Sequence, residues 1–308
     1  MYWIIGILAG AAAVILTASY LAFKKIFIRR KRSKEYLYKG LDGELMGVNK
    51  LRRRLIEDMT KIPCEPLEIL SKDEKKLRAR LYRGKKDAPI SILFHGYKSM
   101  PFRDFCGAFQ TLLNLGHNLI VVDQRSHGDS DGRYITFGIK ERFDVLSWCN
   151  YATELFGEDS KILLYGMSMG AASVIMAAEL NLGKNVVGII ADSPFDSPKS
   201  IITKVLGDMN LSPTLTYPLI RLGAVIFGRF DPNSASARAA AKKAEIPILI
   251  LHGEEDELVP PYMSERIAES SRTATLVKFK KATHCKAFLY DGDGYAVCLK
   301  NFLNKTVG

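Results

Sequence analysis

The chain has 308 residues, 47% hydrophobic and 25% charged, which suits one α/β domain of roughly 250 residues with an extension. Its net charge of +11 is concentrated: between Lys24 and Arg54 twelve Lys and Arg face three acids (Glu35, Asp42 and Glu44), so that window holds nine of the eleven charges. The near-neutral remainder excludes a nucleic-acid groove, and five scattered cysteines (Cys64, Cys106, Cys149, Cys285 and Cys298) argue against a disulfide framework or a C-x-x-C metal site.

Trp3 to Phe23 carries no charged residue. Twenty-one residues in a helix reach about 31 Å, the thickness of a hydrocarbon core. Trp3 and Tyr20 sit near the two ends, where interfacial aromatics are favoured. A cleaved signal peptide would want a basic n-region and a small-x-small site. Here the basic cluster follows the apolar run instead, so residues 1–23 read as an uncleaved transmembrane anchor. Lys24, Lys25 and the Arg29–Arg32 run should stay on the cytoplasmic side, with the N-terminus outside and the remainder inside.

Residues 24–60 read as a basic juxtamembrane connector, with a helix over Glu44–Met59 stopped by Pro63 and Pro66. Residues 61–308 form the folded domain. Leu67–Leu70 and Leu77–Tyr82 predict an opening antiparallel pair. Buried strands are predicted at Ile90–Phe94, Leu119–Val122, Ile162–Tyr165, Val186–Ile190, Ile248–Leu251 and Thr275–Phe279, mostly apolar runs rather than alternating ones. Helices fill the gaps at Phe102–Leu115, Ile139–Phe156, Met169–Leu182, Ser234–Lys243, Pro261–Ser270 and Lys286–Leu303. This alternation predicts an α/β fold with a mostly parallel, doubly wound sheet. Ser197–Asp231 is too long and too apolar for a bare loop, and reads as a small helical cap over the carboxyl edge of the sheet.

Gly166-Met-Ser168-Met-Gly170 is the chemical centre of the sequence. G-x-S-x-G alone is a weak signal, but here a strand precedes it and a helix former follows. The pattern fits a nucleophile elbow, in which flanking glycines leave room for a strained turn. A serine hydroxyl needs a base and the base an orienting acid, in the chain order Ser, acid, His for this architecture. His284, after the last strand, fits the base. His95 and His252 end strands before Gly and read as organisers of backbone, His127 belongs to a turn, and His117 precedes a strand. Asp256 follows the strand Ile248–Leu251, with Glu254, Glu255, Glu257 and Asp192 as rivals. The oxyanion hole should use the N–H of Met169 and that of Tyr97 in the loop after Ile90–Phe94. Met167, Met169, Tyr97 and Phe195 suggest an apolar acyl pocket.

Five stations in order resemble the α/β-hydrolase superfamily: His95-Gly-Tyr97, Asp123-Gln-Arg-Ser-His-Gly-Asp-Ser130, Gly166–Gly170, His252-Gly-Glu-Glu-Asp256-Glu-Leu-Val-Pro260 and His284. Asp192-Ser-Pro-Phe195 further resembles membrane-anchored hydrolases near the prolyl-oligopeptidase-like and cinnamoyl-esterase-like enzymes. The resemblance covers roughly residues 66–305. It implies an α/β-hydrolase fold with a central eight-stranded sheet, no cofactor or metal, and hydrolysis through an acyl-enzyme, and it favours Asp256 as the acid. Ser126 stands where the family usually has Gly, which leaves the shape of that turn open.

The expectation is therefore a membrane-anchored serine hydrolase that cleaves a carboxylic ester, acting on a small-molecule or lipid-derived acyl substrate. A peptidase or acyl-peptide hydrolase would use the same triad, with Glu254 or Glu255 near the substrate amine. A catalytically dead scaffold is disfavoured because every station holds a competent residue. Ser at the elbow excludes an aspartate-nucleophile dehalogenase or epoxide hydrolase.

Overall fold

The structure, a computed structural model, describes residues 2–29, 33–41 and 46–307. Eight strands form one sheet: β1 (Glu65–Leu70), β2 (Lys76–Tyr82), β3 (Ile90–Phe94), β4 (Asn118–Asp123), β5 (Ile162–Met167), β6 (Val186–Asp192), β7 (Ile248–Gly253) and β8 (Ala274–Phe279). Their order is β1-β2-β4-β3-β5-β6-β7-β8. β2 runs antiparallel to both β1 and β4, and every other pairing is parallel. The predicted antiparallel opening and parallel body are both present.

The central strands are mostly apolar and buried because both faces are covered. Ile90, Ile92, Ile120, Val122, Ile162, Leu164, Ile248 and Ile250 point into one core. Leu93, Leu119, Val121, Leu163, Tyr165, Leu249 and Leu251 point into the other. Helices α4 (Glu141–Phe156), α5 (Met169–Ala177), α8 (Ala237–Lys243) and α9 (Tyr262–Ser270) contribute to the first core. Helices α3 (Pro101–Asn114) and α11 (Gly292–Thr306) cover the second, with the short α10 (Ala287–Tyr290) between β8 and α11. The helix predicted at Lys286–Leu303 is thus two helices, broken where Asp291 caps α11 by accepting from the Gly294 N–H at 2.9 Å. α5 ends at Ala177, five residues before the predicted Leu182.

The segment read as a cap holds two helices, α6 (Pro198–Asp208) and α7 (Pro213–Gly228). Each starts with proline, whose missing N–H costs nothing at a helix N-terminus. The five cysteines are free.

The N-terminal helix α1 spans Tyr2–Phe27. It is the one helix among the described residues long and apolar enough to cross a membrane. Tyr2 to Thr17 are exposed, but Ser19, Phe23 and Phe27 are buried against the domain. Phe23 meets Tyr134 and Phe227, and Phe27 meets Phe137 and Phe230. Just beyond, Ile28 bridges to Tyr134, and Arg29 donates to the Gly128 and Ser130 carbonyls. Helix α2 (Met46–Lys61) packs on α3, with Ile56 and Met59 buried. The boundaries expected at residues 23 and 60 are therefore not packing boundaries. Arg30, Lys31 and Arg32 of the basic run, and the first residues of the helix predicted from Glu44, lie outside the described residues.

Candidate active site

β5 ends in Met167 and α5 begins at Met169, so Ser168 occupies the turn between them. Its φ of 52° and ψ of −111° are strained for a residue with a Cβ, at a cost of about 1–3 kcal/mol. Packing holds it there. A Cβ at Gly170 would drive into the Phe94 carbonyl, and one at Gly166 into the Gly170 backbone, so only glycine lets β3, β5 and α5 close on this turn. The Ser168 N–H donates to the Asp192 carbonyl at 2.8 Å.

His284 lies on the loop after β8, with Nε2 2.9 Å from Ser168 Oγ and Nδ1 2.6 Å from Asp256 Oδ2. Asp256 follows β7 and its side chain is fully buried. Its other oxygen accepts the Leu258 and Val259 N–H groups at 3.0 and 2.9 Å. Burial pushes this carboxyl up, but hydrogen bonds from His252 and His284, the His284 charge and the Val259 N–H together hold it well below the usual carboxylate range. His252 is fixed by Ser264 Oγ at 2.6 Å and the Val259 carbonyl at 2.8 Å. The rivals stand elsewhere. Glu254, Glu255 and Glu257 are exposed, while Asp192 is buried and engaged by Tyr295 and Ser193. Cys285 Sγ comes within 3.5 Å of His284 Nε2. Burial, then the charges of Asp192, Asp104 and Asp256, push its thiol well up, so it stays protonated.

The loop after β3 lies against the elbow: a Cβ on Gly96 would sit 3.3 Å from Ser168 Cβ. Asp104, in the first turn of α3, accepts the Gly96 N–H at 2.7 Å and the Ser99 hydroxyl at 2.6 Å. His127 Nε2 accepts the Lys98 N–H at 2.9 Å, and His95 Nε2 accepts the Gln124 N–H at 3.2 Å. Each ring then donates from Nδ1, His127 to the Arg125 carbonyl and His95 to the Gly96 carbonyl, both at 2.9 Å. Burial pushes both imidazoles down, so they stay neutral and serve as fixed tautomers. Ser126 keeps the turn that its substitution for Gly left open. It adopts φ 64° and donates to the Tyr134 carbonyl at 2.8 Å.

Above Ser168 is a cavity of about 370 Å³. Its walls are apolar, from Phe137, Phe195, Ile202, Leu206 and Ile220, with Ala22 and Ile26 of α1 closing one side. Among the described residues no three His, Cys, Asp or Glu side chains converge as a metal site requires.

Residues 92–296 match the model of the alpha/beta hydrolase family. The chain belongs to that family. The hydrolase is 27% identical over 248 residues to protein bem46 of Schizosaccharomyces pombe, covering 78% of this chain and 76% of that one. It is 24% identical over 254 residues to an uncharacterized membrane protein, YNL320W, of Saccharomyces cerevisiae, covering 80% and 81%. In three dimensions it resembles the esterase Pf2001 of Pyrococcus furiosus, with a TM-score of 0.65, 23% identity, and coverage of 82% and 96%. At that identity the likeness shows the fold.

Of the residues expected in the site, Ser168, Tyr97 and Phe195 line one cavity, and His284 and Asp256 join Ser168 through hydrogen bonds. Met169 follows Ser168 at the first position of α5, with its side chain buried in the core. Met167 does not line the cavity. Alternation along β5 sends Leu163, Tyr165 and Met167 to the α3–α11 face, where Met167 borders a separate void of about 10 Å³. Sequence reasoning missed Asp104, Phe137 and the contribution of α1. An acid in the first turn of a helix just past the loop was a usable sign of Asp104. Ala22, read as part of a helix in lipid, and Ile26, read as part of a basic connector, gave no sign of bordering the cavity.

Proposed function

We propose that this hydrolase is a serine esterase, and the hydrogen-bonded run Ser168–His284–Asp256 at the floor of an apolar cavity carries the reading. Ser168 Oγ attacks the acyl carbon while His284 Nε2 takes its proton. Asp256 fixes the imidazole tautomer and stabilises the imidazolium. The oxyanion falls to the Met169 N–H, at the N-terminus of α5 where the helix dipole favours negative charge, and to the Tyr97 N–H. His284 then protonates the leaving alcohol. Water, activated by the same imidazole, attacks the acyl-enzyme and releases the acid.

The walls favour an acyl chain over a peptide. A peptidase would place a carboxylate near the substrate amine, whereas Glu254 and Glu255 are exposed and border no part of the cavity. Labelling with an active-site fluorophosphonate tests the reading. Wild type should label and Ser168→Ala should not; equal labelling would sink the nucleophile assignment. Hydrolysis of aminoacyl anilides faster than p-nitrophenyl esters would overturn the ester preference.

Membrane anchoring by α1 belongs to the same proposal. Cleavage after the apolar run would strip Phe23 from the core and break the helix that delivers Phe27, which favours a retained anchor over a removed signal. The basic residues after it favour a catalytic domain on the cytoplasmic side. Protease added to intact cells should spare the domain.

A further inference from the structure

We propose that the cavity above Ser168 opens toward the bilayer, and that the hydrolase takes a single-chain lipid ester laterally, past the seam between α1 and α7. This rests on the esterase reading and names the substrate class for the same site.

The first observation is that α1 is part of the cavity. Ala22 and Ile26 form a wall, and the Ile26 carbonyl accepts the Tyr97 hydroxyl at 2.6 Å. The helices touch through their backbones, since a Cβ at Gly223 of α7 would strike the Ser19 carbonyl. Whatever fixes the depth of α1 in a bilayer therefore fixes the depth of α7 and of the cavity.

The second observation is one of length. The freely exposed stretch of α1, Tyr2 to Thr17, reaches about 24 Å, roughly 6 Å short of a hydrocarbon core. The uncharged run continues to Phe23, through turns already docked on α7. Spanning the core thus requires the docked turns to enter the leaflet, carrying α7 with them. A depth of about 6 Å is within the roughly 5–10 Å reached by interfacial helices.

The surface of α7 suits that position. A helix on a water-facing surface should be polar outside. Beside Arg221, which is paired with Asp231 at 2.7 Å, the exposed residues of α7 include Leu215, 74% exposed, with Val225 and Ile226 46% and 45% exposed. Met209, Leu211 and Leu258, each about half exposed, continue the apolar surface onto the cavity's edge. Lys24 and Lys25, exposed at the base of α1, fall at headgroup level. A volume of about 370 Å³ lies near the lower end of the roughly 300–1,000 Å³ of ligand sites, which fits one acyl chain and not two.

Full-length protein in phosphatidylcholine vesicles tests the route. Leu215→Glu/Ile226→Glu alters two exposed side chains that do not border the cavity. The quantity read is turnover of a vesicle-embedded long-chain monoacylglycerol divided by turnover of p-nitrophenyl acetate supplied in water. The double variant should lower this ratio about tenfold or more while acetate turnover persists. An unchanged ratio overturns the lateral route and leaves the outer face of α7 to a protein partner. Fluorophosphonate labelling of the same samples separates the two readings: an unlabelled wild type sinks the esterase, whereas normal labelling with an unchanged ratio sinks the entry route alone.

Discussion

The phenol of Tyr97 donates to the carbonyl of Ile26 at 2.6 Å, tying the loop that flanks Ser168 to the last turn of the N-terminal helix. The ring also packs on Phe137 at 4.8 Å between centroids. Tyr97→Phe keeps the ring and removes the tie. One such hydrogen bond is worth about 1 kcal/mol of stability. We expect a loss of that size by urea titration, together with a several-fold fall in kcat and little change in KM for a short-chain ester. Lower stability with unchanged kcat would confine the bond to a structural role.

A second prediction separates the two halves of α1. Removing residues 1–17 takes only exposed turns from the described helix, Tyr2 to Thr17, and should leave the fold intact in detergent. Removing residues 1–29 also takes away Phe23 and Phe27 and uncovers Phe137, Phe230 and Tyr134. Truncating a buried Phe costs about 3–5 kcal/mol against a total stability of about 5–15 kcal/mol. The longer truncation should therefore aggregate, and Phe27→Ala in the full chain should lose about 3–5 kcal/mol. A monodisperse, active chain starting at residue 30 would remove α1 from the fold.

The reach and the failure of the sequence reading have the same origin. The elbow is legible because two glycines, a strand and a helix converge on it for steric reasons, as Gly170 against Phe94 demonstrates. The order Ser168, Asp256, His284 is legible because a doubly wound sheet leaves few places for each. The burial of Phe23 is not legible, because phenylalanine facing lipid and phenylalanine facing a protein core satisfy the same apolar demand. Met167 was misplaced for a simpler reason. Two residues that flank a turn share a motif without sharing a face, and only strand alternation decides where each points.

Asp256→Asn tests the acid. The amide keeps the shape, but it can reverse the imidazole tautomer, and loss of the orienting carboxylate in such triads costs about 10⁴ in kcat. We expect a comparable loss with Ser168 still in place. Glu254→Gln, Glu255→Gln and Glu257→Gln should each leave kcat within a few-fold of wild type, since all three side chains are exposed. The hydrogen bonds to Asp256 hold its carboxyl below the usual range, so its stabilising contribution is complete above about pH 4 and is lost only as pH falls through the lowered value. Protonation of Asp256 should therefore not set an acidic limb of kcat/KM near neutrality. A large kcat defect in any one of the three Glu variants would transfer the role.

The pH dependence of stability should carry a separate signature from His117. The residue is buried before β4, with Nδ1 3.0 Å from Ser91 Oγ, and burial pushes its imidazole down to about 4. The unfolded chain takes up this proton below about pH 6.5, whereas the folded chain waits until about 4. Between those values the unfolded state holds more protons, so stability falls as pH falls, by about 3 kcal/mol over the whole window. His95 and His127, also buried and also pushed down, steepen the loss in the same direction. His117→Gln retains a polar partner for Ser91 and removes the titration. The unfolding free energy from urea titrations between pH 7 and pH 4 should decline less in the variant, by about 3 kcal/mol across the range. Parallel curves for the two proteins would mean that His117 is already protonated in the fold.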